Sequence, residues 1–109
     1  MMSQFRRKET LKETEIVKGF HGRFVHTGKN TIGYVRIEQG ATLPEHHHPH
    51  AQVTSIVQGE FEMTVGGITQ ICKAGDVVVI PGNVAHSARA LTACYVIDVF
   101  EPERADYKF

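Results

Sequence analysis

Neither charge sign is in excess: Lys+Arg and Asp+Glu number 12 each. A chain without a basic field has no general means of recruiting nucleic acid or an anionic membrane, so neither is expected as a partner. The short run Arg6-Arg7-Lys8 is flanked by Glu9 and Glu13. No apolar run approaches the ~18 residues that a membrane helix needs. The first residues carry charge with no apolar stretch behind it, which is not a secretory signal, and a cytoplasmic location is expected. Cysteine is scarce, and Cys72 and Cys94 fit neither a CxxC redox pair nor a zinc ribbon. They read as two small buried residues in a reducing compartment. An amphipathic helical period of useful length is missing, as are repeats.

Short alternating segments are what the chain does have. At 109 residues it is one domain, divided into an arm (1–18), a barrel (19–100) and a tail (101–109). Within the arm, residues 10–17 are able to start a strand, and the arm is available for exchange with a second subunit. Residues 31–38 alternate, with Val35 and Ile37 on one face and Ile32, Tyr34 and Arg36 on the other. Residues 60–65 put Phe61, Met63 and Val65 inward, and Gly66-Gly67 signals a hairpin. Val77-Val-Val-Ile80 reads as a buried strand halted by Pro81-Gly82-Asn83. Roughly eight to ten strands, with turn signals every 8 to 12 residues, predict an all-β jelly-roll barrel.

The histidines cluster. Of seven, four fall at His46, His47, His48 and His50. In an extended segment His46 and His48 share a face, close enough for both rings to reach one ion, while His47 points to solvent. Gln52 offers an amide oxygen, and His86 arrives from a second stretch, Gly75 to His86. His21 and His26 fit no pattern and read as ordinary surface or core residues.

Gly40…His46-x-His48…Gln52…Gly59 and Gly75…Pro81-x-Asn83…His86 resemble, in order, the two signatures of the cupin family. Gln52 stands where a glutamate is usual, and Asn83 where a glycine is usual. The resemblance implies a double-stranded β-helix barrel whose mouth holds one divalent metal ion (nickel, zinc, manganese or iron) on His46, His48, Gln52 and His86. It also implies a homodimer. Three imidazoles and a neutral amide leave such an ion's charge uncompensated by protein. That favours anionic oxygen ligands and Lewis-acid chemistry over the carboxylate-containing facial triad of non-haem iron oxygenases.

The last strand reads Cys94-Tyr-Val-Ile-Asp98-Val-Phe100, and a carboxylate there is expensive to bury without a partner or a task. A plain Asp98–Arg104 bridge pinning the tail is one reading. The other comes from a closer resemblance. His46-His-His-Pro-His-Ala-Gln52, Gln58-Gly-Glu-Phe-Glu62 and Asp98-Val-Phe-Glu-Pro-Glu-Arg104-Ala-Asp-Tyr look like the small cupins of pectin and alginate breakdown that linearise unsaturated monouronates. By position this implies catalytic roles for Asp98, Phe100 and Arg104, and a small anionic substrate. A metal-dependent dioxygenase and a non-catalytic small-molecule binder are the alternatives.

Overall fold

The computed structural model describes residues 4–109, so the first three residues of the arm lie outside the described residues. Ten strands form: β1 (Thr14–Val17), β2 (Phe20–His26), β3 (Thr31–Ile37), β4 (Thr42–His46), β5 (Ala51–Gln58), β6 (Phe61–Val65), β7 (Ile68–Cys72), β8 (Val77–Ile80), β9 (His86–Ala90) and β10 (Cys94–Glu101). The helical elements among the described residues are two single 3-10 turns, Lys8–Thr10 and Ala105–Tyr107. The strands make a six-stranded sheet, β1-β2-β3-β10-β5-β8, and a four-stranded sheet, β4-β9-β6-β7. Every pairing is antiparallel. This is the jelly roll expected from the turn spacing.

Side-chain alternation decides which face turns inward. Val35 and Ile37 are buried and Arg36 between them is exposed; Phe61 and Met63 are buried in the same rhythm. Val35, Ile37, Ile56, Ile80 and Val96 of the larger sheet meet Phe61 and Met63 of the smaller in one core. Each such side chain contributes roughly 1.5–3 kcal/mol by leaving water. The turn from β5 to β6 needs Gly59, whose φ is +92° and whose added Cβ would lie 2.3 Å from the Ala93 carbonyl oxygen. Cys72 and Cys94 are free and buried, as their isolation in the sequence predicts.

The run 77–80 departs from expectation. Ile80 is fully buried, but Val77 is 60% and Val79 66% exposed. Strand β8 lies at the edge of the larger sheet and packs only its inward residues, Val78 and Ile80, so a run without alternation exposes the rest. The register extends this outward apolar character across the sheet. Val79, Val53, Val99, Ile32 and Val25 are successive cross-strand neighbours on β8, β5, β10, β3 and β2. The arm lies near the β2–β3–β10 side of this sheet. Arg23 Nη1 donates to the carbonyls of Glu9 (3.0 Å) and Leu11 (2.7 Å), and the Lys8 ammonium sits 4.6 Å from the centre of the Tyr95 ring.

Candidate functional site

His46 is the last residue of β4, and His86, the first of β9, is its register partner. Gln52 lies on β5 opposite Phe100 of β10, and Thr54 opposite Asp98. The candidate ligands therefore come from both sheets. His48 does not continue strand β4; it sits in the segment 47–50 that joins β4 to β5. The strand thus ends at His46, and the ring centres of His46 and His48 lie 5.7 Å apart.

Contacts with the second motif hold that segment. The Asn83 amide donates to the His48 carbonyl at 2.8 Å. A Cβ on Gly82 would lie 2.5 Å from the Pro49 carbonyl oxygen, so glycine lets the two loops touch. Asn83 has φ +65°, a left-handed conformation that asparagine tolerates, which is why it can stand where a glycine is usual. His47 is exposed, as expected. His21 lies 2.7 Å from Glu38, and His26 bonds Thr31 and the Tyr107 carbonyl, so both serve the scaffold.

The hydrogen bonds orient the three rings in one way. Nδ1 of His46, His48 and His86 each lies 2.9 Å from a backbone carbonyl, that of Pro44, His50 and Val84 respectively. A carbonyl only accepts, so each Nδ1 carries the proton and each Nε2 keeps its lone pair. Asp98 Oδ1 accepts the Thr54 hydroxyl at 2.6 Å, and Thr54 Oγ1 accepts Gln52 Nε2 at 3.0 Å. That chain fixes the Gln52 amide and turns its Oε1 toward His48 Nε2, 3.1 Å away. Two lone pairs then face each other.

A cation is what such a pair of acceptors calls for. His86 Nε2 is buried with no hydrogen-bond partner, and ligand atoms of His46, His48 and His86 all lie within 4.8 Å of one another. Burial pushes the His48 and His86 imidazoles below their usual range, with the Arg104 charge adding to the effect at His48. Both are therefore neutral and able to ligate. The donor set fits a divalent ion of the imidazole-preferring kind.

The candidate ligands, Asp98, Phe100 and Arg104 line one cavity of about 340 Å³, within the range of small-molecule sites. Burial pushes the Asp98 carboxyl up to about 6, while its bonds to Thr54 and Gln52 and the Arg104 charge pull part of the way back. Asp98 keeps some accessible surface because it faces this cavity; its carboxylate lies deep among barrel side chains. The Phe100 ring is 3% exposed and meets His48 edge-on, with centroids 5.9 Å apart.

An Asp98–Arg104 bridge does not form. Arg104 pairs instead with Asp106, two residues on, at 2.9 Å from Nε and 2.7 Å from the second nitrogen. The 3-10 turn at 105–107 brings that carboxylate back to the guanidinium, and Thr54 takes its place at Asp98. Sequence reasoning missed Thr54, Asp106 and Tyr107. Thr54 shares the inward phase of Gln52, and Asp106 stands two residues from a buried arginine. Those were the available signals.

Residues 33–100 match the cupin domain family. The chain is a member of the cupin family. This cupin is 32% identical to the pectin degradation protein KdgF of Dickeya dadantii over 84 residues, which cover 76% of this chain and 68% of that one. Among solved structures it resembles KdgF from a Halomonas species, with TM-score 0.88 and 30% identity over 96% of this chain and 98% of that one. It likewise resembles an RmlC-like cupin from Shewanella frigidimarina, with TM-score 0.91 and 29% identity over 97% and 96%. Its relatives thus include pectin-degradation proteins, in keeping with the resemblance carried by the histidine motif and the tail. No helix among the described residues is long and apolar enough to cross a membrane.

Proposed function

We propose that this cupin is a metal-dependent enzyme that linearises a 4,5-unsaturated uronate. The observation that carries the proposal is the convergence, in one cavity, of a histidine–glutamine donor set with Asp98 and Arg104. His46, His48, His86 and Gln52 would hold the ion, which supplies Lewis-acid stabilisation of negative charge on a substrate oxygen. The substrate is a cyclic enol ether carrying a carboxylate and an anomeric hydroxyl. Arg104 pairs with the carboxylate. Asp98 takes the proton of the anomeric hydroxyl. The O–H electron pair becomes the aldehyde C=O, the bond from C1 to the ring oxygen breaks, and that oxygen leaves as an enolate. Return of the proton to C4 gives the open-chain keto form, so the reaction is a balanced isomerisation. A carboxyl held at about 6 exchanges protons readily near neutrality. Phe100 forms a wall against the ring.

The neutral Gln52 disfavours the dioxygenase alternative, since a carboxylate belongs to the usual oxygenase donor set. A non-catalytic binder would keep ligand affinity and show no turnover. Loss of the enol absorbance of an unsaturated uronate, abolished in Asp98→Ala and Arg104→Ala, is the expected result. Unchanged rates in both variants would end the proposal.

The enzyme acts as a cytoplasmic homodimer. Two free, buried thiols suit a reducing compartment. The exposed Val77, Val79 and Val99 on the outward face support the pairing, because apolar side chains gathered on one exposed sheet face favour cover by a partner. A valine patch that meets its own copy across a two-fold axis is self-complementary, so the occupant we propose is a second copy.

A further inference from the structure

Arg104 is the most enclosed cation outside the histidines, with its side chain 10% exposed. It is fixed at every part. Its backbone amide donates to Thr31 Oγ1 at 2.8 Å, tying the start of the tail to β3. Its guanidinium carbon lies 4.0 Å from the centre of the Tyr107 ring and 4.9 Å from that of Phe100, so aromatic rings bound the cation. Tyr107 is held in turn by Phe24, 4.7 Å away centre to centre, and by the bond from His26 to its carbonyl. The Asp106 carboxylate grips Nε and one terminal nitrogen together, at 2.9 and 2.7 Å.

That double bond fixes the one rotation the rings leave open. Rings packed against a planar guanidinium set its plane but permit it to turn within that plane; a bidentate carboxylate sets the angle as well. Asp106 occupies the Nε edge of the fork. Asp106 does not take the edge formed by the two terminal nitrogens, the Tyr107 hydroxyl is a further partner of the guanidinium, and Arg104 lines the cavity. The Asp106 side chain is itself 59% exposed, so its charge is largely screened and its main effect on a ligand is through the orientation of Arg104.

We propose that Asp106 is a positioning residue that aims the terminal-nitrogen edge of Arg104 at the substrate carboxylate, with Tyr107 as the shelf on which the guanidinium rests. The proposal deepens the uronate-linearising function and rests on it for its kinetic arm. With the metal-loaded enzyme, Asp106→Ala and Asp106→Asn raise KM for the unsaturated uronate about tenfold and leave kcat within about twofold. Asp106→Glu, which keeps the carboxylate, recovers part of the loss. The uronamide of the same sugar, lacking the charge, shows the same KM in wild type and variants. An equal change with both substrates, or none with either, overturns the proposal. A second readout needs no substrate. In 15N NMR of the full chain, the Arg104 Nε–H and terminal N–H signals are sharp and slow to exchange in the wild type and broaden in Asp106→Asn. Wild-type inactivity toward the uronate with those signals behaving as stated removes the proposed function and leaves the clamp. Signals equally sharp in Asp106→Asn remove the clamp, whatever the enzyme acts on.

Discussion

Strands β5 and β10 put opposite chemistry on their two faces. Inward stand Gln52, Thr54, Asp98 and Phe100; outward stand Val53, Ile97 and Val99. Globular sheets usually arrange polarity the other way. The inner polar groups are tolerable because each is spoken for: the carboxylate by the hydroxyl, the hydroxyl by the amide, and the amide oxygen by the ion we propose. The outer apolar side chains, of which Val99 is exposed, would be covered in the homodimer we propose. One face would thus hold the ion we propose and the other the second copy we propose. Substitutions on one face should leave the property of the other intact.

The largest expected effect lies inside. His86→Ala should abolish stoichiometric metal binding and lower uronate turnover on the order of 10³-fold or more, read by metal analysis and absorbance. The dimer, followed by sedimentation, should persist. If turnover survives, the inner face does not do what its geometry suggests.

Asp98→Asn separates stability from activity. Turnover should fall about 10²- to 10⁴-fold. The folded carboxyl holds its proton up to about pH 6, whereas the unfolded one releases it near its ordinary 3.8. Over that window unfolding releases a proton, so the metal-free wild type loses stability as pH rises. The loss is complete above about pH 6 and amounts to at most about 3 kcal/mol. Asparagine keeps the acceptor for Thr54 and carries no charge to bury. The metal-free variant should therefore be the more stable at pH 8 and should lack this slope, as denaturant titration would show. A variant less stable than wild type at pH 8 would contradict the burial cost assigned to Asp98.

The outer face is broken by Val77→Lys with Val79→Lys. The double variant should sediment as a monomer with kcat within about twofold of wild type and full metal content. A wild type that is already monomeric, or a double variant that stays dimeric, rules the valine face out as the contact. The smallest effect belongs to His47→Ala, inside the histidine run yet exposed; metal affinity should change less than about twofold, because only phase and tautomer, not crowding, select the ligands.

Much of this division was legible beforehand. Alternation in 31–38 and 60–65 placed the core residues correctly, since Val35, Ile37, Phe61 and Met63 fall in the phase that turns inward. The uniform 77–80 run misled because four β-branched residues in a row do not say which face the chain itself covers. The histidine offsets were informative although strand β4 ends at His46, before His48: motif spacing records where the rings arrive, not the backbone path. The bridge reading of Asp98 and Arg104 fails because sequence separation does not reveal that a 3-10 turn folds Asp106 back, while Asp98 finds a hydroxyl on the adjacent strand.

The most direct test is calorimetric titration of metal-free protein with nickel or zinc, wild type beside His86→Ala and Gln52→Ala. The account predicts one ion per chain in the wild type, no saturable binding in His86→Ala, and clearly weakened binding in Gln52→Ala. Failure of the wild type to bind, or binding that persists unchanged in His86→Ala, would contradict it.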